Sequence, residues 1–348
     1  MNAPIPDALR DALRLLAGGQ PLSGDAVTAA FDVVMRGEAT PSQIAGLLIG
    51  LRVRGESPDM VAAVVRAMRN VMVALPVDDP ESLVDTCGTG GGSVQTFNIS
   101  TAAALLAAGA GVRVAKHGNR SNTTRSGSAD VLEALGVPID RPTEVLRRVL
   151  DTAGIVFMFA PAMHPAMRHV GPVRRELAIP TVMNMVGPLA NPASAGRQVV
   201  GVAELARLPL MAGALASLGS VHAVVVHGEP GLDEISPLGP TRVVEVRRGS
   251  VSPQQWTIDP AEFGFDGVRE SDLAGGSPEE NAAVILEVLG GGGPRGARAA
   301  VLLNAAAALY VAGVADSYEQ GLAAATRALD RGDGLRALER MKAAYMAT

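Results

Sequence analysis

Apolar residues recur with two different periods along this chain. Up to about residue 72 the period is helical: Val27, Phe31 and Val34 fall on one helix face. Thr40-Pro41-Ser42-Gln43 has the form of a capping box with proline in the first turn. It launches IAGLLIGLRVRG, which stops at Gly55, and Ser57-Pro58 opens the next helix. These residues predict a small all-helical domain over 1–74, followed by a Pro/Asp linker at 75–80. Beyond the linker, short β-rich runs alternate with helical ones. LVDTCG, VRVAKHG, IVFMFA, RQVVGVA, VHAVVVHG and TRVVEV read as strands. TAAALLAAG, SADVLEALG, PTEVLRRVLDTAG and residues 207–218 read as helices. Such alternation predicts a mostly parallel sheet flanked by helices. Ser277-Pro278-Glu279-Glu280 and Ser317-Tyr318-Glu319-Gln320 read as capping boxes of terminal helices. The Pro- and Arg-rich stretch 164–192 is helix-like only in pieces. It reads as a return to the helical domain, with helices within 164–185 completing it. The α/β domain is then 75–163 plus 186–348, and a cleft lies between the two.

Composition narrows the class. Among 348 residues, 48% are hydrophobic and 19% charged, which excludes disorder as the dominant state. Aromatic residues are only 3% and glycines number 40, so the core must be built from small aliphatics with close backbone approaches. One cysteine excludes a disulfide scaffold and a Cys-based metal site. A net charge of −5 and a pI near 5.6 argue against a broad nucleic-acid footprint. The N-terminus lacks the basic-then-apolar pattern of a signal peptide. The uncharged run from Leu208 past Val226 breaks at Leu218-Gly219-Ser220, so it reads as helix–turn–strand and not as a membrane span. A cytoplasmic protein is expected.

Four clusters could carry chemistry. Asp85-Thr-Cys-Gly-Thr-Gly-Gly-Gly-Ser93 follows a strand and leads to Thr96-Phe-Asn-Ile-Ser-Thr101 at a helix start. Glycines let backbone N–H groups turn toward an anion, and a helix N-terminus favours negative charge. A tight structural turn would read the same way, with Ser100 and Thr101 only as caps. Lys116-His-Gly-Asn-Arg120 and the hydroxyl-rich run to Ser128 repeat the arrangement with three cations. That density suits a multiply charged phosphate ligand, although a polar loop capped at Ser128 is the alternative. Arg174-Arg175-Glu176 could grip a carboxylate or form a solvated ion-paired face. Asp233-Glu234 could hold Mg²⁺ or be two surface acids. His164, His169, His222 and His227 lack metal spacing and read as loop or strand-end residues. Cys87 has no paired histidine nearby in sequence, and Trp256 reads as a packing residue.

Together DTCGTGG, TFNIST, KHGNR, SGSADVLEALG, FMFAP with HPAMRHVGPVRREL, NMVGPLANPA and VVHGEPGLDEIS stand in an order and spacing that resembles the anthranilate phosphoribosyltransferase family. The resemblance covers nearly the whole chain. It implies transfer of the phosphoribosyl group of 5-phosphoribosyl 1-diphosphate (PRPP) to anthranilate in tryptophan biosynthesis, with release of pyrophosphate and use of Mg²⁺. It also implies a nucleoside-phosphorylase-like two-domain fold and a homodimer formed through the helical domain. Carried over by motif, Gly88, Gly91, Gly92, Thr96, Asn98, Ile99, Ser100 and Thr101 would hold pyrophosphate and ribose. Lys116, His117, Gly118, Asn119, Arg120, Ser121, Asn122, Thr123, Thr124 and Ser128 would hold the rest of the donor. Gly88, Asn119 and Arg174 would meet anthranilate, and Ser100, Asp233 and Glu234 would coordinate magnesium. No residue is expected to act as acid or base, because the aniline nitrogen is already neutral.

The chain departs from the family pattern at Gly92, where an Asp is usual, and at Thr123-Thr124-Arg125, where Ser-Ser-Lys is usual. The first removes a carboxylate expected beside the magnesium–pyrophosphate unit, which leaves the number of metal ions open. Two other readings remain: a pyrimidine nucleoside phosphorylase, and a non-catalytic nucleic-acid-binding paralogue. KHGNR and VRREL weigh against the first, and the acidic pI against the second.

Overall fold

The computed structural model describes residues 6–121, 125–250 and 252–347. Asn122, Thr123 and Thr124 lie outside the described residues. The chain opens with α1 (Asp7–Ala17), α2 (Gly24–Met35), α3 (Pro41–Arg54) and α4 (Pro58–Val71). The Thr40 capping box forms: Thr40 Oγ1 accepts from Gln43 N–H, and Gln43 Oε1 accepts from Thr40 N–H. Ser57 caps α4 ahead of Pro58.

Then follow β1 (Val84–Gly88), α5 (Ile99–Gly109), β2 (Val114–Gly118), α6 (Ser128–Ala134), α7 (Thr143–Ala153) and β3 (Ile155–Phe159). The returning segment carries α8 (Ala160–Met163), α9 (Met167–Leu177) and α10 (Met183–Val186). Thus Pro172 sits inside a helix, and His169 is helical, not in a loop. Next come β4 (Arg197–Gly201), α11 (Leu208–Ser217), β5 (His222–Gly228), β6 (Thr241–Arg247) and β7 (Gln254–Ile258). The chain closes with α12 (Pro278–Leu289), α13 (Arg295–Ala312), α14 (Tyr318–Asp330) and α15 (Asp333–Met346).

The seven strands form one sheet in the order β3-β2-β1-β4-β5-β6-β7. β1 to β5 are parallel, while β6 and β7 add antiparallel. The mostly parallel sheet flanked by helices matches the expected fold class. β7 was not expected, because Gln254-Gln255-Trp256 lacks an apolar alternation. It is an edge strand pinned by Trp256 Nε1, which donates to the buried Glu245 at 3.0 Å. The Ser277 capping box forms, but the Ser317 one is only half made. Ser317 Oγ accepts from Gln320 N–H, while the Gln320 side chain turns to Asp316 N–H.

Side chains of β4 and β5 alternate between two cores. Val199, Val224 and Val226 join α5 and the C-terminal helices; Val200, Ala223 and Val225 join the N-terminal helices and α11. α5 is apolar all round and buried nearly throughout, as a helix between a sheet and other helices must be. α11 packs against α4 closely enough that a Cβ on Gly213 would sit 2.7 Å from Pro58. The chain passes between the cores at three neighbouring places joined by backbone bonds. Val73 N–H donates to Met163 O at 2.8 Å, and Leu75 N–H to Pro192 O at 2.9 Å. None of the described helices is long and apolar enough to cross a membrane.

Candidate active site

The strand order reverses at β1. The chain runs outward through β2 and β3, then returns as β4 on the other side of β1. In such sheets the loops at the carboxyl ends of the strands diverge there and leave a crevice. Strands β1, β4 and β5 end in glycine, at Gly88, Gly201 and Gly228. The Asp233-Glu234 segment lies across these three ends. A Cβ on Gly88 would fall 2.3 Å from Asp233 Oδ2, one on Gly201 1.6 Å from Asp233 O, and one on Gly228 2.5 Å from Glu234 O. Only hydrogen fits at these positions.

The acids thereby meet the glycine loop. Asp233 Oδ2 accepts from Gly90 N–H at 2.7 Å, and Glu234 Oε1 accepts from Ser100 N–H at 3.1 Å. Gly90 and Gly91 have positive φ, which frees the loop to turn its amides inward. A Cβ on Gly92 would lie 3.3 Å from Asp233 Oδ1, so a carboxylate at this position would stand against Asp233. Helix α5 starts at Ile99, and its cap is Asn98 in the left-handed region (φ 66°). Ser100 and Thr101 are therefore inside the first turn and are not its cap. Asn98 uses its side chain internally: Nδ2 donates to Ser126 O, and Oδ1 accepts from Ser126 Oγ and Asn281 Nδ2. Thr96 bridges to Ala274.

The second loop is organised by Asp130. Its Oδ2 accepts from Gly127 N–H at 2.9 Å and from Ser121 N–H at 3.3 Å, while Oδ1 holds Arg120 at 2.6 Å. Arg120 also pairs with Glu133 at 2.6 Å. Gly127 caps α6, so Ser128 is the first helical residue and not the cap; its hydroxyl donates to Asn119 O at 3.3 Å. A Cβ on Gly118 would meet Ser128 Oγ at 2.2 Å. Asn119 Oδ1 accepts from Arg120 N–H at 2.7 Å.

Lys116 does not face the cleft. It is 3% exposed, and Nζ donates to Thr86 O at 2.5 Å and Ser100 Oγ at 3.0 Å. Beside it, Asp85 is fully buried: Oδ1 accepts from His117 N–H at 3.1 Å and Oδ2 from Asn191 Nδ2 at 2.7 Å. Burial raises the Asp85 carboxyl to about 6 against the pull of Lys116 and Asn191. Burial pushes the Cys87 thiol up, and Asp85 adds to that, so no thiolate nucleophile is available. Burial also raises Asp233, and burial plus the charge of Asp233 raises Glu234. Asp85 and Glu234 thus share the field of one ammonium, and Asp233 adds a third acid beside Glu234. Excess buried negative charge calls for a cation, and two hard carboxylates that leave most of the coordination sphere to ligand oxygens fit Mg²⁺. Among the described residues no cluster of three or more acids, histidines or cysteines is built as an all-protein metal cage.

His117 and His164 pack with ring centroids 5.0 Å apart, each with a ring nitrogen bonded to the 187–190 segment, at Gly187 and Ala190. Their Nε2 atoms have no partner. Burial, then the neighbouring His164, holds His117 neutral down to about 3; burial holds His164 neutral down to about 4. Unfolded, each takes a proton near 6.5. Between those values the unfolded chain binds more protons, so stability falls as pH drops from 6.5. Asp85, Asp233 and Glu234, all raised in the fold, oppose this, so the histidine contribution is read by difference. From pH 6.5 to 5, wild type is expected to lose roughly 2 kcal/mol of stability relative to His164→Gln. Equal slopes in the two proteins would remove this account.

Arg174 is carried by a different element. It lies in the last turn of α9, which packs on α2 and α3, while Gly88 ends β1 and Asn119 follows β2. It is half-buried, and burial lowers its pKa without a carboxylate to offset that. Neither it nor Arg175 or Glu176 forms an ion pair among the described residues. The solvated ion-paired face is therefore not what forms.

Sequence reasoning missed Asn191, Gly201, Gly127, Asp130, Asn281 and Asn304 as contributors. Asn191 acts on Asp85 across 106 positions, and no local pattern marks such a partner. Only the glycine that ends β4 repeats a visible signal, the Gly88 and Gly118 strand ends.

Comparison with known proteins sharpens this picture. Residues 80–335 match the family model "Glycosyl transferase family, a/b domain", and residues 10–72 match its helical bundle domain. A protein of Rubrobacter xylanophilus described as anthranilate phosphoribosyltransferase is 50% identical over 332 residues, covering 95% of this chain and 96% of its own. The crystal structure of anthranilate phosphoribosyltransferase from Thermus thermophilus superposes with a TM-score of 0.91 at 43% identity, covering 98% of this chain and all of that one. The Saccharomyces cerevisiae enzyme in complex with PRPP and Mg gives 0.89 at 27% identity, with 99% of each chain covered.

Proposed function

This chain belongs to the anthranilate phosphoribosyltransferase family, within the glycosyl transferase family, and on that premise we propose how its residues carry the reaction. It is an enzyme that transfers the phosphoribosyl group of PRPP to the amine of anthranilate, giving N-(5-phosphoribosyl)anthranilate and pyrophosphate. The observation that supports the site assignment is the pair of bonds from Gly90 and Ser100 N–H to the acids. Those amides already donate to carboxyl oxygens, and the pyrophosphate of PRPP offers oxygen acceptors of the same kind.

Displacing pyrophosphate builds positive charge on the ribose and negative charge on the leaving group. The loop amides from Gly88 to Gly92 and the start of α5 at Asn98–Thr101 would receive that negative charge, with Thr96 beside them. Asp233 and Glu234, with the Ser100 hydroxyl, would hold Mg²⁺, which when bound neutralises charge on the pyrophosphate oxygens. The Lys116–Ser128 loop would hold the remainder of the donor through its amides and hydroxyls. Lys116 orients Ser100 from beneath, and Arg120 with Asp130 fixes the loop. Arg174, an unpaired cation on the helical side, would grip the anthranilate carboxylate with two parallel bonds, with Gly88 and Asn119 opposite. Closure of the helical side over the sheet edge would align the neutral amine with the ribose carbon and exclude water. Such positioning supplies ~7–11 kcal/mol in favourable cases.

The reading extends to a cytoplasmic homodimer formed through the helical domain, where Leu15 and Val53 are exposed (39% and 82%). A monomer in sedimentation at assay concentration would remove the dimer. The reaction itself is tested by the decay of anthranilate fluorescence with purified protein, PRPP and Mg²⁺, each omitted in turn. Decay that requires all three is expected, and decay without PRPP, or none with all present, would overturn the reading.

A further inference from the structure

The segment that carries Asp233 and Glu234 has no regular secondary structure, yet its backbone is pinned from several sides. Within the β5–β6 connection, Leu232 N–H donates to Gly228 O at 2.7 Å, and Ser236 N–H to Thr241 Oγ1 at 2.9 Å. From the glycine loop, Ser93 N–H donates to Gly231 O at 3.0 Å. From the core side, one side chain among the described residues bonds the segment's backbone. Asn304, 3% exposed in the middle of α13, takes both backbone groups of Ile235. Its Oδ1 accepts from Ile235 N–H at 2.9 Å, and its Nδ2 donates to Ile235 O at 2.9 Å. The second Nδ2 proton returns to Ala300 O, one turn earlier on α13, also at 2.9 Å. A carboxamide thus pairs with the N–H and C=O of one residue, as a neighbouring strand would.

We infer that Asn304 is a positioning residue for the metal-binding acids: its two-way bond to Ile235 sets the height of the Asp233–Glu234 backbone above the strand ends. The clearance there is what makes this sensitive. Asp233 O lies against Gly201, and Glu234 O against Gly228, with no room for even a methyl group between. The segment cannot sink further, so freedom gained at Ile235 moves it outward, toward the cleft. Each carboxylate then leaves the amide it now faces. Ile235 is fully buried, so its N–H and C=O find no water in place of Asn304. A partner that orients a metal-binding group in this way typically governs metal affinity by ~10–100-fold.

The inference rests on the reading of Asp233 and Glu234 as metal ligands, and its test separates the two. Mn²⁺ is titrated by electron paramagnetic resonance in the presence of inorganic pyrophosphate. The proteins are wild type, Asn304→Asp, Asn304→Gln and Tyr318→Phe. Asn304→Asp keeps the acceptor for Ile235 N–H but turns an acceptor toward two carbonyls. Asn304→Gln keeps the amide but advances it by one methylene. Tyr318→Phe removes a different buried bond to α13, from Tyr318 OH to Leu303 O, and is the control for general loosening of that helix. Expected are at least ~10-fold weaker Mn²⁺ binding in the Asn304 variants, unchanged binding in Tyr318→Phe, and an unchanged KM for anthranilate in all. Wild-type affinity in a folded Asn304→Asp, or an equal loss in Tyr318→Phe, overturns the inference. If Asn304→Asp does not fold, Asn304→Gln decides by the same criterion. If wild type binds no Mn²⁺ with pyrophosphate, the reading of the acid pair falls, and this inference with it.

Discussion

Replacing Arg174 by alanine is expected to lower kcat/KM for anthranilate about 10²–10³-fold, roughly 3–4 kcal/mol. The KM for PRPP is expected to stay within about threefold. The reason is the state of the side chain before substrate arrives. Arg174 is half-buried at the end of α9, desolvated, and without an acidic partner. A guanidinium left in that condition costs stability unless an anion completes it. Anthranilate brings a planar carboxylate that matches the guanidinium fork. Arg174→Lys keeps the charge and loses the fork, so its activity should fall between alanine and wild type. Alanine is also expected to leave the thermal midpoint unchanged or raised, since it removes an uncompensated charge. Initial rates at limiting anthranilate check the main point. Full activity in Arg174→Ala would assign acceptor binding to other residues.

Glu234→Gln is expected to separate function from stability in the opposite directions. The substitution keeps an oxygen for Ser100 N–H and removes a charge that burial and Asp233 both disfavour. The metal-free protein should therefore melt at a higher temperature than wild type. Turnover should fall by about 10²-fold or more, because charge on the departing pyrophosphate is no longer neutralised as well. Chelation of Mg²⁺ should abolish turnover of wild type and be reversed by adding Mg²⁺. Calorimetry without metal and steady-state rates with it test both halves. A variant that melts lower and turns over normally would mean that Glu234 is a structural acid.

The sequence by itself determined the layer architecture and the chemical inventory. Helical and strand periods are local properties, so the N-terminal helices, the parallel strands and the caps at Thr40, Ser57 and Ser277 could be read directly. Glycine-rich and cation-rich runs after strands are local too, and both loops reach the same sheet edge because parallel strands end together. β7 escaped because it is short and only Trp256 and Ile258 mark its inward face. Tertiary structure alone decided how the inventory is used. Lys116 sits in a motif that reads as a phosphate grip, yet its ammonium is buried beneath the site and fastened to Thr86 and Ser100. Asp233 and Glu234 read as two surface acids until the strand ends at Gly88, Gly201 and Gly228 bring them onto the glycine loop. Asn281 and Asn304 carry no signal at all, and Asn191 stands in the motif NMVGPLANPA with nothing to mark its partner. Each acts on a residue more than 60 positions away. The physical reason is the same throughout. A side chain's type is written in the chain, but whether its charge is solvated, paired or left over depends on which distant backbone burial places against it.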